Sequence, residues 1–335
     1  MAVDGSFTIE ITRGGVVESA HTVHAVIADR DGTVQAWGDR RRPTIARSAV
    51  KSIQALPLTL SGAADAYGLG PRELALACAS HSAEPEHVAR VLAWLQRLGL
   101  SEDDLECGPD RPLGRAARRH FYETGASKRR VLNCCSGKHT GFLTLAMHLG
   151  YPTAGYIKRA SPVQDRVTGA IEAMTGLDLS NAPSGIDGCG IPVFALPIER
   201  LAFAMARLVD PVHLPDDLAA ATVPIVEAAQ LAFWVAGTGR TEMHVTRAAA
   251  EPVVIKTGAE GMFMAALPHR GLGIALKAAD GASRASQAAI KALLRHLDVL
   301  PALGGPVEIH NKAGDVSGEV RAVINSPVAA RLAAA

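Results

Sequence analysis

Aromatic residues make up only 4% of this 335-residue chain. A core of ordinary density must therefore be built mainly from Ala, Val, Leu and Ile. Charge imbalance is also missing: 34 Lys and Arg against 33 Asp and Glu give a formal net charge of +1. No overall field favours nucleic acid or a membrane surface. The basic cluster Arg115, Arg118, Arg119, Lys128, Arg129 and Arg130 has no interleaved aromatics, which argues for a solvated face and against nucleic-acid binding. The most apolar stretch, about 219–236, is broken by Pro224 and Glu227 and falls short of the roughly 20 apolar residues of a membrane span. Met-Ala-Val-Asp-Gly-Ser-Phe at the start has no basic and apolar leader pattern. Five cysteines, with Cys134 and Cys135 adjacent, do not make a disulfide framework. These absences fit a cytoplasmic protein with neither a nucleic-acid nor a membrane partner. No P-loop, Rossmann fingerprint or H-E-x-x-H motif is present, which excludes the NTPases, dehydrogenases and zincins those motifs mark.

What is present reads as strands at both ends and helices between. Alternating or continuous apolar runs in 6–38, and again from His244-Val245 through 253–255, 262–264 and 271–276 to 306–310 and 318–324, predict strands. Helical spacing predicts helices at about 45–60 with Pro57 ending or kinking the run, at 71–80, from Pro85 onward, across 140–178 and 197–236, and at 282–297. Residues 99–132 read as turn-rich. The expected fold is α+β: an antiparallel sheet built from both termini, flanked by helices, with a helical region of about 44–236 inserted. One catalytic unit over 1–330 and an alanine-rich tail over 331–335 complete this reading.

Several segments carry chemistry-bearing residues. In Ser48-Ala-Val-Lys51 a serine and a lysine three apart share one helical face. A neutral lysine there would make a hydrolytic nucleophile without histidine. Lys256-Thr-Gly258 follows far downstream, the order found in serine β-lactamases and penicillin-binding enzymes. Ala79-Ser-His-Ser-Ala-Glu-Pro85 is dense in hydroxyl and titratable groups at a helix junction; capping of the next helix by Ser82 or Glu84 explains it equally well. Cys135, Lys138 and His139 could offer soft or borderline ligands, yet spacing alone favours buried structural cysteines. Asp187 and Cys189, two apart in a glycine-rich stretch, would share a face if extended. Gly237-Thr-Gly-Arg240 offers a glycine-flanked guanidinium suited to a carboxylate, unless it is only a helix end and turn.

Jointly, and in order along nearly the whole chain, these segments resemble the asparaginase II family of rhizobial inducible-type L-asparaginases. The matching pieces run from Arg13-Gly-Gly-Val-Val-Glu-Ser19 through Arg47-Ser-Ala-Val-Lys51, Ala79–Pro85, Cys135-Ser-Gly-Lys-His139, Asp187-Gly-Cys-Gly190, Gly237–Arg240 and Lys256-Thr-Gly-Ala-Glu-Gly261 to Gly273-Ile-Ala-Leu-Lys277. The resemblance implies a serine β-lactamase-like or glutaminase-like fold, a homodimer, and hydrolysis of L-asparagine to L-aspartate and ammonia. It also implies two Ser–Lys pairs, Ser48 with Lys51 and Ser80 with Lys256. One zinc ion per subunit is expected on Cys135, Lys138 and Cys189, beside the pocket and not as the water-activating centre. Arg47, His81, Asp187, Gly239, Arg240 and Glu260 are expected to bind substrate. The chain departs from the family pattern at Cys134, where an asparagine is usual, and at Thr241-Glu242. The alternatives are a glutaminase or β-lactam hydrolase on the same fold, though no Ser-Asp-Asn stands between the two motifs, or a non-catalytic zinc- or thiol-binding protein.

Overall fold

The computed structural model describes residues 5–325 and 328–329. The expected tail, 331–335, lies outside them. The chain forms two compact units: unit 1 is Met1–Ala49, Leu196–Asp210 and Val245–Ala335, and unit 2 is Val50–Ala195 and Pro211–His244.

Unit 1 holds a nine-stranded sheet. Its strands are β1 (Phe7–Arg13), β2 (Val16–Asp29), β3 (Gly32–Trp37), β4 (Val254–Gly258), β5 (Met262–Leu267), β6 (Leu272–Ala278), β7 (Val307–His310), β8 (Val316–Ile324) and β9 (Val328–Ala329). The order is β7-β8-β1-β2-β6-β5-β4, with β3 between β2 and β9, and the pairings are antiparallel. Strands from the two ends of the chain therefore interleave, as expected. The long β2 serves three neighbours: Val16–Thr22 pair with β1, Val23–Ala28 with β6, and Ala25–Asp29 with β3. Alternation decides the faces. Val23, Ala25, Ile27, Phe263, Ala265, Ile274 and Leu276 are fully buried in one core with Ala289, Ile290 and Leu293 of the helix Ser283–His296. The other face carries Val26, Met264, Ala266 and Ala275, also buried. There the helix Ile198–Val209 crosses the sheet: a Cβ on Gly273 would meet Ala202 O at 2.1 Å and Ala206 N at 2.2 Å.

Unit 2 is helical. Its helices include Pro71–Ala77, Pro85–Arg97, Ser136–His148, Pro162–Thr175 and Asp216–Ala229. Ser136–His148 is buried along almost its entire length, so it shows no amphipathic stripe. Gly137 lets it lie against Leu76, whose carbonyl a Cβ would reach at 2.5 Å. Trp94 Nε1 donates to Thr144 Oγ1 at 3.1 Å and joins it to Pro85–Arg97.

The helical run over 45–60 breaks at Ala55, between the helices Lys51–Gln54 and Leu56–Leu60, with Pro57 in the first turn of the second, as a proline that interrupts the run requires. Three local expectations change. Arg115–Glu123 is helical within the segment read as turns; its two alanines and dense cations hid the period. His244-Val245 lies in the helix Thr241–Ala248, not in a strand. A two-stranded hairpin, Ser184–Ile186 with Pro192–Pro197, was not expected, and Asp187–Gly190 is the turn between its strands, not an extended segment. No helix of the described residues is long and apolar enough to cross a membrane.

Candidate active site

In unit 2 the site is built around one loop. Ser80-His-Ser-Ala-Glu84 leaves the helix Pro71–Ala77 and enters Pro85–Arg97. Its backbone is fixed on two sides: Ser80 N–H donates to Val235 O at 3.0 Å, and His81 N–H to Cys134 O at 3.1 Å. Ala83 sits at φ +53°, strained for a residue with a Cβ. His81 is fully buried. Its Nδ1 accepts from Ala83 N–H at 3.1 Å, so Nε2 carries the proton and donates to Ser136 Oγ at 2.9 Å. Burial, then the neighbouring His87 and Lys51, push its pKa down to about 3. With both ring nitrogens engaged, His81 pins the loop to the start of the helix Ser136–His148.

Lys51 opens a short helix, Lys51–Gln54, and is fully buried. An ammonium has three protons to donate, and Lys51 Nζ finds three acceptors: Ala79 O at 2.6 Å, Ser80 Oγ at 3.0 Å and Cys135 Sγ at 3.1 Å. Burial pushes its pKa down, but the neighbouring sulfurs, Cys135 first, outweigh it and the net shift is upward. Burial alone therefore does not neutralise this lysine, contrary to the simplest expectation for a lysine base.

Cys135 precedes the helix Ser136–His148, and Lys138 lies in its first turn. Asn133 Oδ1 accepts from Cys135 N–H at 2.9 Å, while Asn133 Nδ2 donates to Cys107 O at 2.8 Å, which fixes the approach to the thiol. Hydrogen bonds from Cys134 and Cys189, with Lys51 and Lys138 nearby, hold the Cys135 thiol well below its ordinary pKa against the opposing effect of burial. Cys189 comes from the hairpin turn, where Gly190 takes φ +90°. Lys138 Nζ stands 3.1 Å from Cys189 Sγ, and Asp187 Oδ2 stands 3.9 Å from the same sulfur. Two buried thiols and a buried amine thus meet, with a carboxylate next to them. Thiolate and neutral nitrogen are zinc-type donors, so the set fits the metal implied by the family pattern. Among the described residues no group of three His, Cys, Asp or Glu is placed to hold a metal ion, so the third ligand would be Lys138.

The loop Gly237-Thr-Gly-Arg240 takes positive φ at both glycines, +106° and +73°. Arg240 is partly buried, its Nε 4.0 Å from Oε2 of the fully buried Glu242. The guanidinium therefore shares its charge with a carboxylate at one of the positions where the chain departs from the family pattern.

In unit 1, Ser48 lies on the 3-10 turn Arg47–Val50. Arg47, immediately before it, is held at φ +51°, the kind of backbone strain that persists where surrounding structure over-determines it. Ser48 is half-buried, whereas Ser80 is only 7% exposed. Gly258 brings Lys256-Thr-Gly alongside the segment that holds Ser48, since a Cβ there would lie 2.6 Å from Ala46 O. Lys256 is buried and donates to Thr257 O at 2.9 Å. Glu260 is an exposed turn residue at φ +58°, its carbonyl accepting from Lys277 Nζ.

Ser80, His81, Lys51, Cys135, Lys138, Asp187, Cys189, Gly239 and Arg240 thus belong to unit 2, and Arg47, Ser48, Lys256 and Glu260 to unit 1. The contacts of Lys51 with Ser80 and Cys135 were not expected. They join residues 29 and 84 positions apart, and no local spacing signals them.

The sequence profile of the L-asparaginase II family matches residues 9–322. The chain belongs to that family, whose members are hydrolases of the asparaginase type. Among curated proteins no significant match is found. Several solved structures resemble it at low identity. Mglu in its native form is 16% identical with a TM-score of 0.44, over 84% of this chain and 66% of that one; the chain spans just under two thirds of Mglu's length. A β-lactamase from Mycobacterium bovis is 15% identical with a TM-score of 0.41, over 83% and 95%. A class C β-lactamase from Rhodobacter sphaeroides is 14% identical with a TM-score of 0.37, over 88% and 95%.

Proposed function

We propose that the protein is an L-asparaginase that releases ammonia through an acyl-enzyme. Family membership supports the reaction class. The observation that carries the residue assignment is the contrast between the serines: Ser48 is accessible and follows a strained residue, while Ser80 is buried and already bonded to Lys51. Ser48 Oγ is the nucleophile toward the side-chain amide carbon. Lys51 in its neutral form takes the serine proton and returns it to departing ammonia. Ser80 accepts a hydrogen bond from Lys51 and carries protons to and from it. Lys256 acts beside Ser48 as the second lysine. Arg47 or Arg240 grips the α-carboxylate.

Cys135, Lys138 and Cys189 would hold zinc, which would supply positive charge to offset the thiolates that keep Lys51 protonated. The residues would then do the chemistry, with Asp187 orienting the ligands from beside Cys189. We further propose a homodimer, to be checked by light scattering.

The test is ammonia release from L-asparagine and L-glutamine, with a chromogenic β-lactam alongside. L-Asparagine should be turned over fastest. Ser48→Ala should lose about 10^3-fold or more in kcat while remaining folded. Full activity in that variant overturns the nucleophile assignment, and faster glutamine turnover overturns the substrate. A second reading, Ser80 as nucleophile, is favoured by the 3.0 Å contact with Lys51. Mass mapping of the trapped acyl group separates the two serines.

A further inference from the structure

Glu84 has a partner that its place in the chain does not suggest. It immediately precedes the helix Pro85–Arg97, where a carboxylate would ordinarily serve the helix's own free N–H groups. Instead its Oε1 accepts from Thr238 N–H at 2.6 Å and its Oε2 from Thr238 Oγ1 at 2.9 Å. His87, three residues on, binds back: its Nδ1 accepts from Glu84 N–H at 3.2 Å and its Nε2 donates to Phe233 O at 2.8 Å. Gly237 is pressed against the same group, since a Cβ there would meet Glu84 Oε1 and Ser82 Oγ, each at 2.6 Å. Ser82 Oγ donates to Ala236 O at 2.7 Å.

We infer that Glu84 is a positioning residue that locks the Gly237–Arg240 loop onto the Ser80 loop and so fixes where the Arg240 guanidinium stands. The chemistry is specific. Thr238 is exposed and flanked by two glycines in positive φ, so its own backbone gives the loop little stiffness. One carboxylate taking both donors of a single threonine supplies two charge-assisted hydrogen bonds. Two segments 154 residues apart are thereby held in register. Because the guanidinium two residues on would grip the α-carboxylate, looseness here should weaken substrate binding more than it slows the chemistry. This inference rests on the asparaginase reading for its kinetic consequence, but not for the lock itself.

The experiment compares the full-length protein with Glu84→Ala, Glu84→Gln and Thr238→Val. Hydrogen exchange at the Thr238 amide reads the lock directly. It should be faster by about tenfold or more in Glu84→Ala. For L-asparagine, Glu84→Ala should raise KM about tenfold with kcat within about threefold. Glu84→Gln keeps one acceptor and should recover part of that loss, which a merely destabilised helix start would not explain. Thr238→Val removes only the Oγ1 bond and leaves the backbone N–H donor, so it should cost less than Glu84→Ala and add nothing to it in the double variant. An unchanged KM in an active Glu84→Ala protein overturns the positioning role, and unchanged exchange overturns the lock. An inactive wild type would overturn the asparaginase reading instead, and exchange would then decide the lock alone.

Discussion

Lys51, Lys138 and Lys256 are each no more than 2% exposed. A buried ammonium is costly unless its protons are placed, and the three acceptors around Lys51 place all of its own. The same rule explains the histidines: His81, His87 and His139 are all held below their ordinary pKa, first by burial. For His81 the sign is definite. Its folded pKa of about 3 lies below the ordinary 6.5, so on acidification the unfolded chain takes the proton first. Its contribution is intact above about pH 6.5 and falls with pH from there to about 3, by up to about 1.4 kcal/mol per pH unit. His81→Gln should lower stability at pH 7.5 but flatten the acid limb by about one proton, read from urea unfolding between pH 7.5 and 4.5. An unchanged slope would show that His81 takes up its proton over the same pH range folded as unfolded. Ser48-x-x-Lys51 and Lys256-Thr-Gly258 stand out at this scale because short local spacing carries them, although Ser48 lies on a 3-10 turn and Lys51 in the short helix that follows. The contacts of Lys51 with Ser80 and Cys135 depend on how separate segments fold together, and spacing is silent about that.

Elements were legible where a period was clean and an end was marked. β1, β2 and β3 alternate or run apolar between Gly14-Gly15 and Asp29–Gly32 turns, and they stand where expected. Thr241–Ala248 was misread because His244-Val245 is too short to distinguish strand from helix, and only a glycine-rich turn stands before it. The hairpin around Cys189 was missed because its first strand, Ser-Gly-Ile, has an exposed face and no apolar signal. Two glycines test the packing within elements. Gly273→Ala in β6 would drive a Cβ into backbone atoms of the helix Ile198–Val209, and backbone on a packed face cannot yield as a flexible side chain would. The cost should reach or exceed the upper end of about 1–3 kcal/mol for overpacking. Gly169→Ala in the exposed face of Pro162–Thr175 meets nothing within 4 Å and needs no positive φ. It should stabilise by about 0.5–1 kcal/mol. Urea midpoints of the two variants moving in the same direction would contradict one of these accounts.

For the molecule as a whole, the sheet from both termini was readable because strand patterns bracket a helical middle. That Leu196–Asp210 belongs with the sheet was not, since its helix looks like its helical neighbours in sequence. The thiol cluster has a role at this scale besides any role in catalysis. Cys135 and Lys138 stand at the start of a buried helix, and Cys189 stands in a hairpin turn 51 residues beyond Lys138. A ligand that binds only the assembled cluster must stabilise unit 2 by mass action, by about 4 kcal/mol when its free concentration is a thousandfold above its dissociation constant. On the proposed zinc site, chelation should therefore lower the unfolding midpoint, and added zinc should restore it. Cys189→Ser should lose that zinc response because it removes a thiolate from the set. Ser48→Ala should retain it in full, since Ser48 belongs to unit 1 and supplies no ligand. Chelation should lower substrate affinity or rate without abolishing turnover, because the proposed proton-transfer groups are serine and lysine. Unfolding curves that coincide with and without zinc in the wild type would overturn the metal site. Complete loss of turnover on chelation, reversed by zinc, would overturn its secondary place in the reaction.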